Sequence, residues 1–338
     1  MFHAPYFIAE MSANHNGSLE RARAIVKAAK ETGADAIKLQ TYTPDTLTID
    51  CHNEYFRIQD PRSPWYGRNL YELYKEAHMP WDWQEELFKL SHDLGITCFS
   101  TVYDRSSVDF LERLDCPFYK IASFEITDLA FIEYVAKTHK PIIMSTGMAD
   151  ISEIKEAVDA ARSGGCKELV LLKCVSAYPA PPDEMNLRTI PHMKELFQCQ
   201  VGLSDHTLGI GVSLGAISLG AEVIERHMTL RREDGGPDSG FSLEPHEMKE
   251  LVREGRRLNE ALGHVSYGAG RREKASKDFR RSLFFVRDLK KGQVITGEDI
   301  RSIRPSHGLQ PKFLPIVLGR RVKEDIVRGT PVSWELVE

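Results

Sequence analysis

The sequence has few of the features that mark secreted or membrane proteins. Its six cysteines are scattered over 338 residues, and none of them forms a Cys-x-x-Cys pair. This spacing favours reduced thiols over a disulfide framework. No apolar run approaches the roughly 20 residues that a membrane-spanning helix requires, and the first residues lack the basic start and long apolar core of a signal peptide. These absences predict a cytoplasmic protein with no membrane partner.

An excess of positive charge is also absent. The chain has 44 lysine and arginine residues against 49 aspartate and glutamate residues, which gives a formal net charge of −5. No domain is strongly basic, so we expect no nucleic-acid partner. An anionic small-molecule substrate would therefore need a local pocket of cationic side chains.

A glycine-rich dinucleotide-binding turn is missing as well. The first predicted strand is followed by SANHNG at 12–17, whereas an open doubly wound sheet, the second choice of fold, favours G-x-G-x-x-G there. Instead, eight apolar runs of strand length alternate with segments of helical periodicity, which is typical of an α/β fold of the (β/α)8 TIM-barrel type. The predicted strands are 6–10, 36–40, 97–101, 118–121, 141–145, 169–173, 201–204 and 222–225.

The chain is longer than a barrel requires. We predict a catalytic barrel over 1–264, a basic linker over 265–281 and a second domain over 282–338, where short strands and turns replace the helical period. About 57 residues give only a marginal core. Within the barrel, 41–80 is rich in Tyr, Trp and Pro and is predicted to be a long loop of undetermined role.

Polar side chains concentrate where the predicted strands end, which is the face of a TIM barrel that carries the active site. Lys38, Lys120 and Lys173 stand in the otherwise apolar second, fourth and sixth strands. A lysine is costly to bury without a partner, and three of them together predict a phosphate or carboxylate ligand. The alternative is that each lysine pairs with a nearby glutamate in a structural ion network.

Two histidines, His206 and His227, follow the last two predicted strands. If these strands are neighbours in a parallel sheet, both imidazoles emerge at the same edge, where they suit a divalent metal. The alternative is two unrelated polar residues at strand ends. A metal beside an anion site favours a Lewis-acid role on a carbonyl group.

Seven segments, in chain order, resemble the sialic acid synthase family. They are FIAE at 7–10, NHNG at 14–17, GADAIKLQT at 33–41, YKIAS at 119–123, STGM at 145–148, GLSDHT at 202–207 and ERH at 225–227. Lys291-Gly292 and Arg304-Pro305 are similar to that family's C-terminal antifreeze-like (SAF) domain of β-clip fold. The resemblance covers essentially the whole chain. It implies a transferase that condenses phosphoenolpyruvate with an acetamido-sugar aldehyde and releases phosphate.

The resemblance also implies a role for each matching residue. The residues expected to hold phosphoenolpyruvate are Lys38, Thr101, Lys120, Ser123, Ser145, Ser176 and Ser204. Those expected to hold the sugar are Glu10, Gln40, Tyr178, Asp238 and Arg304, the last of these acting on the partner subunit's barrel in a domain-swapped homodimer. His206 and His227 would hold Mn or Mg. Neuraminate-forming relatives have Asn at the position of Ser176.

The reaction also needs a group that manages charge and protons at carbon 2 of phosphoenolpyruvate. Glu125 lies two residues after Ser123, and we predict that it stabilises the cation formed at carbon 2 and accepts the proton of the attacking water. The alternative for Glu125 is a salt bridge with Lys120. Lys120, His206 and His227 complete the predicted catalytic set.

Further segments resemble one branch of the family. They are MSANH at 11–15, TYTPDTLT at 41–48, LYELY at 70–74 and RPSHGLQPKF at 304–313. The branch implies that the sugar is 2,4-diacetamido-2,4,6-trideoxy-L-altrose. Within the family, the alternatives are the sugars that lead to N-acetylneuraminate or legionaminate. More distant alternatives are a metal-dependent sugar epimerase or aldolase, and a non-enzymatic protein that binds carbohydrate or ice.

Overall fold

The structure is a computed structural model that describes residues 2–3 and 5–338. Contacts within the chain divide it into two compact units, Met1–Gly263 and His264–Glu338. Each unit has a hydrophobic core of its own.

The first unit is a closed barrel of eight parallel strands that follow one another in sequence order. The strands are β1 (Tyr6–Glu10), β2 (Ala36–Thr41), β3 (Thr97–Val102), β4 (Tyr119–Ile121), β5 (Ile142–Ser145), β6 (Leu169–Cys174), β7 (Gln200–Asp205) and β8 (Val223–His227). Their side chains are buried on both faces, which explains the near-continuous apolar runs in the sequence. The predicted (β/α)8 architecture is confirmed.

Helices cover the outside of the barrel. They are α1 (Leu19–Thr32), α2 (Pro44–Leu47), α3 (Leu70–Ala77), α4 (Trp81–Leu94), α5 (Arg105–Glu112), α6 (Leu129–Ala136), α7 (Ile151–Ser163), α8 (Thr189–Phe197), α9 (Gly211–Ser218) and α10 (Pro245–Leu262). Local sequence sets their ends. In α1, the side chain of Ser18 accepts a hydrogen bond from the Arg21 N–H at 3.2 Å, and Gly33 ends the helix with a φ of 84°. Both residue types are common at these positions of a helix.

The segment 41–80 is more ordered than the predicted loop. It contains α2, a single 3-10 turn at Glu54–Phe56 and the two-turn helix α3. Asn69 caps α3 by accepting hydrogen bonds from the N–H groups of Tyr71 and Glu72. The leucine and tyrosine side chains of α3 follow the helical spacing i, i+3, i+4. Because residues 70–77 form a helix, the prediction of a long loop was wrong for this part of the segment.

The second unit is built on a two-stranded antiparallel sheet, β9 (Ser282–Phe285) with β10 (Ile300–Ile303). A turn at 297–299 leads directly into β10, a strand that was not predicted from the sequence. A 3-10 turn at Pro311–Phe313 and α11 (Leu314–Val317) follow β10. A Cβ atom on Gly308 would lie 2.1 Å from the Leu283 carbonyl oxygen, so the backbone can approach β9 there only because the residue is glycine.

Arg304 follows β10 in this second unit and its side chain is exposed, as predicted. In the part of the chain that the structure describes, we find no helix both long enough and apolar enough to span a bilayer.

Candidate active site

Strand register explains why the predicted site residues share the interior of the barrel. Residues paired across parallel strands point to the same face of the sheet. The pairs on this face are Glu10–Lys38, Glu10–His227, Gln40–Thr101, Thr101–Lys120, Cys174–Ser204 and Ser204–Glu225. Seven neighbouring strands therefore direct side chains to one end of the barrel, and all but Cys174 are polar.

Two lysines and two glutamates meet at the centre of this end. Lys38 Nζ lies 2.7 Å from Glu10 Oε2 and donates a hydrogen bond to Thr101 Oγ1 at 2.8 Å. Lys120 Nζ lies 3.0 Å from Glu225 Oε1, and Lys38 Nζ lies 3.8 Å from Glu225 Oε2. The structure thus has the ion network that was the alternative reading of these lysines, and it also brings Lys38 and Lys120 together.

The electrostatics of this cluster still suit an anion. Burial raises the pKa of Glu10 to about 7, against the opposing charge of Lys38. Against the effect of burial, the charges of Lys120 and then Lys38 lower the pKa of Glu225. Ser204 Oγ also donates a hydrogen bond to Glu225 at 2.9 Å. Burial therefore opposes the negative charge of Glu10, and it also lowers the pKa of Lys120. Glu225 remains the firmly ionised carboxylate of the cluster, so a bound anion would compete chiefly with Glu10 for Lys38.

Hydroxyl groups border the lysines. Ser123 Oγ accepts a hydrogen bond from the Gly147 N–H at 3.0 Å. A Cβ atom on Gly147 would lie 2.3 Å from Ser176 Oγ and 2.7 Å from Ser123 Oγ, so both serines line one narrow space that glycine leaves open. Ser145 Oγ is buried with no hydrogen-bond partner among the described residues, as expected of a group that binds a polar ligand.

Lys173 is not part of this cluster. On β6, Cys174 pairs with the inward-facing Ser204 and therefore faces the interior of the barrel. Because successive side chains of a strand point to opposite faces, the side chain of Lys173 faces away from the interior. Its Nζ donates a hydrogen bond to the Cys174 carbonyl oxygen at 3.0 Å. It also lines a separate cavity with Arg188 and His192.

The two histidines are neighbours, with ring centroids 5.2 Å apart. His206 Nδ1 lies 3.1 Å from the Val175 carbonyl oxygen, which leaves Nε2 as the free nitrogen. Burial, and then the proximity of His206, lower the pKa of His227 well below its usual value, so this imidazole is held in the neutral form that binds metals. His227 Nδ1 is buried and has no partner among the described residues.

These features fit a divalent ion held by His206 and His227. The described residues contain no group of three or more His, Cys, Asp or Glu side chains arranged for a metal, so oxygen atoms of water or substrate would complete the coordination.

A second hydrogen-bond chain joins three of the residues predicted to bind sugar. Gln40 Nε2 donates to Glu10 Oε1 at 2.9 Å and to Ser12 Oγ at 2.9 Å. Ser12 Oγ in turn donates to Asp238 Oδ2 at 2.5 Å. Ser12, which the sequence analysis did not select, therefore links Gln40 to Asp238. Its φ of 47° is unusual for a residue other than glycine.

Glu125 lies in a single 3-10 turn after β4. Burial raises the pKa of its carboxyl group to about 7, although the charge of Lys120 opposes the rise. Its Oε2 atom is buried with no hydrogen-bond partner among the described residues. Lys120 Nζ binds Glu225, so the structure does not have the Glu125–Lys120 salt bridge that was the alternative for this residue. A carboxyl group that titrates near pH 7 suits general-base catalysis.

Two sequence profiles match the chain, that of the NeuB family over residues 25–267 and that of the SAF domain over 280–338. The chain belongs to the NeuB family. It is 43% identical to the pseudaminic acid synthase of Campylobacter jejuni subsp. jejuni (strain 81-176), with 96% of this chain and 94% of the relative covered. It is 40% identical to the pseudaminic acid synthase of Helicobacter pylori, with 100% and 99% covered. A crystal structure of the N-acetylneuraminic acid synthetase of Leptospira borgpetersenii in complex with citrate matches with a TM-score of 0.71 and 31% identity, over 81% of this chain and 90% of that one.

The NeuB-family barrel has further site residues that sequence analysis missed. Glu225 binds both lysines, and its position two residues before His227 on one strand could have identified it as inward-facing. Trp65 and Phe241 pack against Tyr178, with ring centroids 5.3 Å and 5.1 Å from it. No local sequence pattern marks these two aromatic residues, because Trp65 lies in a turn of the segment 41–80 and Phe241 ends a single 3-10 turn.

An ion pair on the outer face of the barrel ties the two histidine-bearing strands together. Asp205 and Arg226 are direct neighbours across β7 and β8, and both side chains are completely buried. Arg226 Nη1 donates to Asp205 Oδ2 at 2.5 Å and Nη2 donates to the Thr207 carbonyl oxygen at 2.7 Å. Because Asp205 precedes His206 and Arg226 precedes His227, the pair fixes the spacing of the two imidazoles.

We expect Arg226→Met to destabilise the NeuB-family barrel by about 3–5 kcal/mol, because it leaves the buried Asp205 carboxylate without its charge partner. Urea unfolding followed by circular dichroism would measure the loss. Arg231→Met is the matched control: Arg231 makes an exposed ion pair with Asp234, and its loss should cost less than about 1 kcal/mol. Equal free energies of unfolding for the two variants would contradict the structural role of the buried pair.

Proposed function

We propose that the protein condenses phosphoenolpyruvate with 2,4-diacetamido-2,4,6-trideoxy-L-altrose to form pseudaminate and inorganic phosphate, the activity of a pseudaminic acid synthase. The observation that carries the proposal is the meeting, at one end of the barrel, of the Lys38–Lys120 anion site and the His206–His227 pair. The 43% and 40% identities to two pseudaminic acid synthases over nearly the full chain support the choice of sugar.

Phosphoenolpyruvate fits the lysine cluster by charge. Its carboxylate and phosphate groups need cationic and hydroxyl donors, which Lys38, Lys120 and Ser145 provide. The hydroxyl groups of Ser123 and Ser176, which converge where Gly147 has no Cβ atom, add two further O–H donors. Binding orients carbon 3 of phosphoenolpyruvate towards the histidine side of the barrel.

The sugar reacts as its open-chain aldehyde. A divalent ion bound by His206 and His227 would polarise the aldehyde carbonyl, as a Lewis acid does. Gln40 and Asp238, connected through Ser12, offer hydrogen-bonding groups to the sugar's hydroxyl and acetamido substituents. Because hydrogen bonds already orient these groups, they reduce the entropic cost of positioning the aldehyde.

The carbon–carbon bond forms between carbon 3 of phosphoenolpyruvate and the aldehyde carbon, and carbon 2 becomes an oxocarbenium ion. The aldehyde oxygen keeps the electron pair of its π bond and takes up a proton to become a hydroxyl group. Glu125, when ionised, stabilises the cation and then accepts a proton from the water that adds to carbon 2, which balances the proton taken up by the aldehyde oxygen. The tetrahedral product of that addition loses phosphate and leaves the keto acid. One water is consumed and one phosphate is released per sugar.

The test of the proposed sugar is a comparison of catalytic efficiencies. We expect kcat/KM for the 6-deoxy 2,4-diacetamido sugar to exceed that for N-acetylmannosamine by at least tenfold, because a buried wall that meets a methyl group leaves a hydroxyl unpaired at a cost of about 1–3 kcal/mol. Equal or better efficiency with N-acetylmannosamine would favour the second candidate, N-acetylneuraminate synthesis, which the 31% identity to the Leptospira synthetase supports.

We further propose that the active site is completed in a domain-swapped, cytoplasmic homodimer. The support is the family resemblance of the second unit together with the exposed position of Arg304 after β10. A two-fold dimer would let Arg304 of each subunit act on the sugar in the other barrel.

Mixing two inactive variants tests the dimer. Lys120→Met and Arg304→Ala should each turn over poorly alone, whereas exchange of subunits should restore activity in dimers that pair one intact barrel with one intact second unit. Phosphate release would report the recovery, and mass photometry of differently tagged subunits would report the exchange. Exchange without recovery would show that Arg304 acts within its own chain or not at all.

A further inference from the structure

Three aromatic rings form a continuous wall beside the two histidines. The Tyr178 ring lies 4.5 Å from the His206 ring, and the Phe241 ring lies 5.0 Å from the His227 ring, centroid to centroid. Trp65 packs against both aromatic residues, at 5.3 Å from Tyr178 and 6.4 Å from Phe241. Trp65 is therefore one ring further from the histidines than Tyr178.

The indole of Trp65 is fixed although it lies in a largely exposed segment. Its Nε1–H donates to the Pro237 carbonyl oxygen at 2.9 Å. The turn after Trp65 is held by a backbone hydrogen bond of 2.8 Å from the Gly67 N–H to the Ile58 carbonyl oxygen. These contacts hold the ring face in one orientation, and so the wall is preorganised.

The wall borders a cavity of about 500 Å³. The cavity also has polar lining residues, among them Arg68, Tyr178 and Ser239, but the ring faces of Trp65 and Phe241 offer no hydrogen-bonding group, because the indole N–H of Trp65 is already bound to the Pro237 carbonyl oxygen. Phe241 contributes only hydrocarbon and is 3% exposed. A ligand group placed against Trp65 and Phe241 therefore gains apolar contact, and a hydroxyl placed there would lose its hydration without a new partner.

We propose that Trp65 determines sugar specificity by receiving the methyl end of a 6-deoxy sugar. This inference rests on the proposed function, in which the aldehyde end of the sugar lies at His206 and His227. An open six-carbon chain that starts there and follows the Tyr178 ring brings carbon 6 to Trp65. The wall accepts a methyl group at carbon 6 and rejects a hydroxymethyl group.

The test compares two sugars that differ only at carbon 6: the 2,4-diacetamido-2,4,6-trideoxy sugar and its 6-hydroxy analogue. The wild type should prefer the deoxy sugar by at least tenfold in kcat/KM. Trp65→Ala should lower kcat/KM for the deoxy sugar about tenfold and reduce the preference to within about threefold, with KM for phosphoenolpyruvate unchanged. Trp65→Phe, which keeps an aromatic face, should retain most of the preference.

The matched control is Tyr66→Ala, which removes a neighbouring aromatic side chain that is 59% exposed. It should leave both sugars' kinetics as in the wild type. If Trp65→Ala lowered kcat/KM equally for both sugars, the preference for the deoxy sugar would be intact in that variant as in Trp65→Phe. This result would overturn the inference and leave the proposed function standing. If the wild type used neither diacetamido sugar, the proposed function would fail, and this inference with it.

Discussion

Replacing both His206 and His227 with alanine is expected to abolish turnover, with a loss of about a thousandfold or more. The two imidazoles are neighbours, and each has a nitrogen available to an ion. Lewis-acid activation of a carbonyl lowers a reaction barrier by several kcal/mol. Chelation of the wild type should produce the same loss, and added Mn should restore it. Steady-state phosphate release measures the rate, and the electron paramagnetic resonance of Mn measures binding.

The control for this double variant is His192→Ala, which removes an exposed histidine from the separate cavity lined by Lys173. It should keep both Mn binding and activity. Full activity of the His206→Ala, His227→Ala protein in the presence of chelator would refute the metal site. Retained Mn binding in that protein would show that the ion is held elsewhere.

Glu125→Gln is expected to lower kcat by about 10²–10⁴, the usual contribution of a general base. The pH dependence follows from the pKa of about 7 that burial gives this carboxyl group. A base must be ionised to accept a proton, so wild-type kcat/KM for phosphoenolpyruvate should fall as pH drops below about 7. The variant should lose the part of this decline that Glu125 causes, because glutamine does not titrate, whereas Glu10, whose pKa burial also raises to about 7, keeps its own contribution.

Glu156→Gln, at an exposed position of α7, is the control and should keep the wild-type pH profile. A Glu125→Gln protein with wild-type kcat and an unchanged profile would exclude Glu125 as the base. Circular dichroism of each variant separates a chemical effect from loss of fold.

The barrel could be predicted from the sequence because its strands are continuous apolar runs separated by helical segments. Predicted and observed strand ends differ by only one or two residues, as for 118–121 against Tyr119–Ile121 and 222–225 against Val223–His227. The caps Ser18 and Gly33 are local features, so their residue types alone indicate where α1 begins and ends.

The site was harder to predict wherever it depends on which residues of a strand face the interior of the barrel. Lys173 stands in a strand that is apolar on both faces, so the sequence does not show which of its residues face inward. In the structure, Cys174 faces inward and Lys173 faces the helices. Glu225 was noted only as a residue at a strand end, although it is the carboxylate that binds Lys120.

Contacts between distant segments could not be predicted from one sequence. Ser12 meets Asp238, 226 positions away, and Trp65 meets Pro237 across 172 positions. Neither contact has a local pattern. The strand β10 was missed because its residues are partly exposed and too few to show alternation.

The most direct measurement of the central claim is phosphate release by the purified protein with phosphoenolpyruvate alone, with the diacetamido sugar alone and with both. The account predicts release only when both are present with Mn or Mg, one phosphate per keto acid that mass spectrometry identifies as sugar plus pyruvate. Phosphate release without sugar, or sugar isomerisation or cleavage without phosphoenolpyruvate, would contradict it.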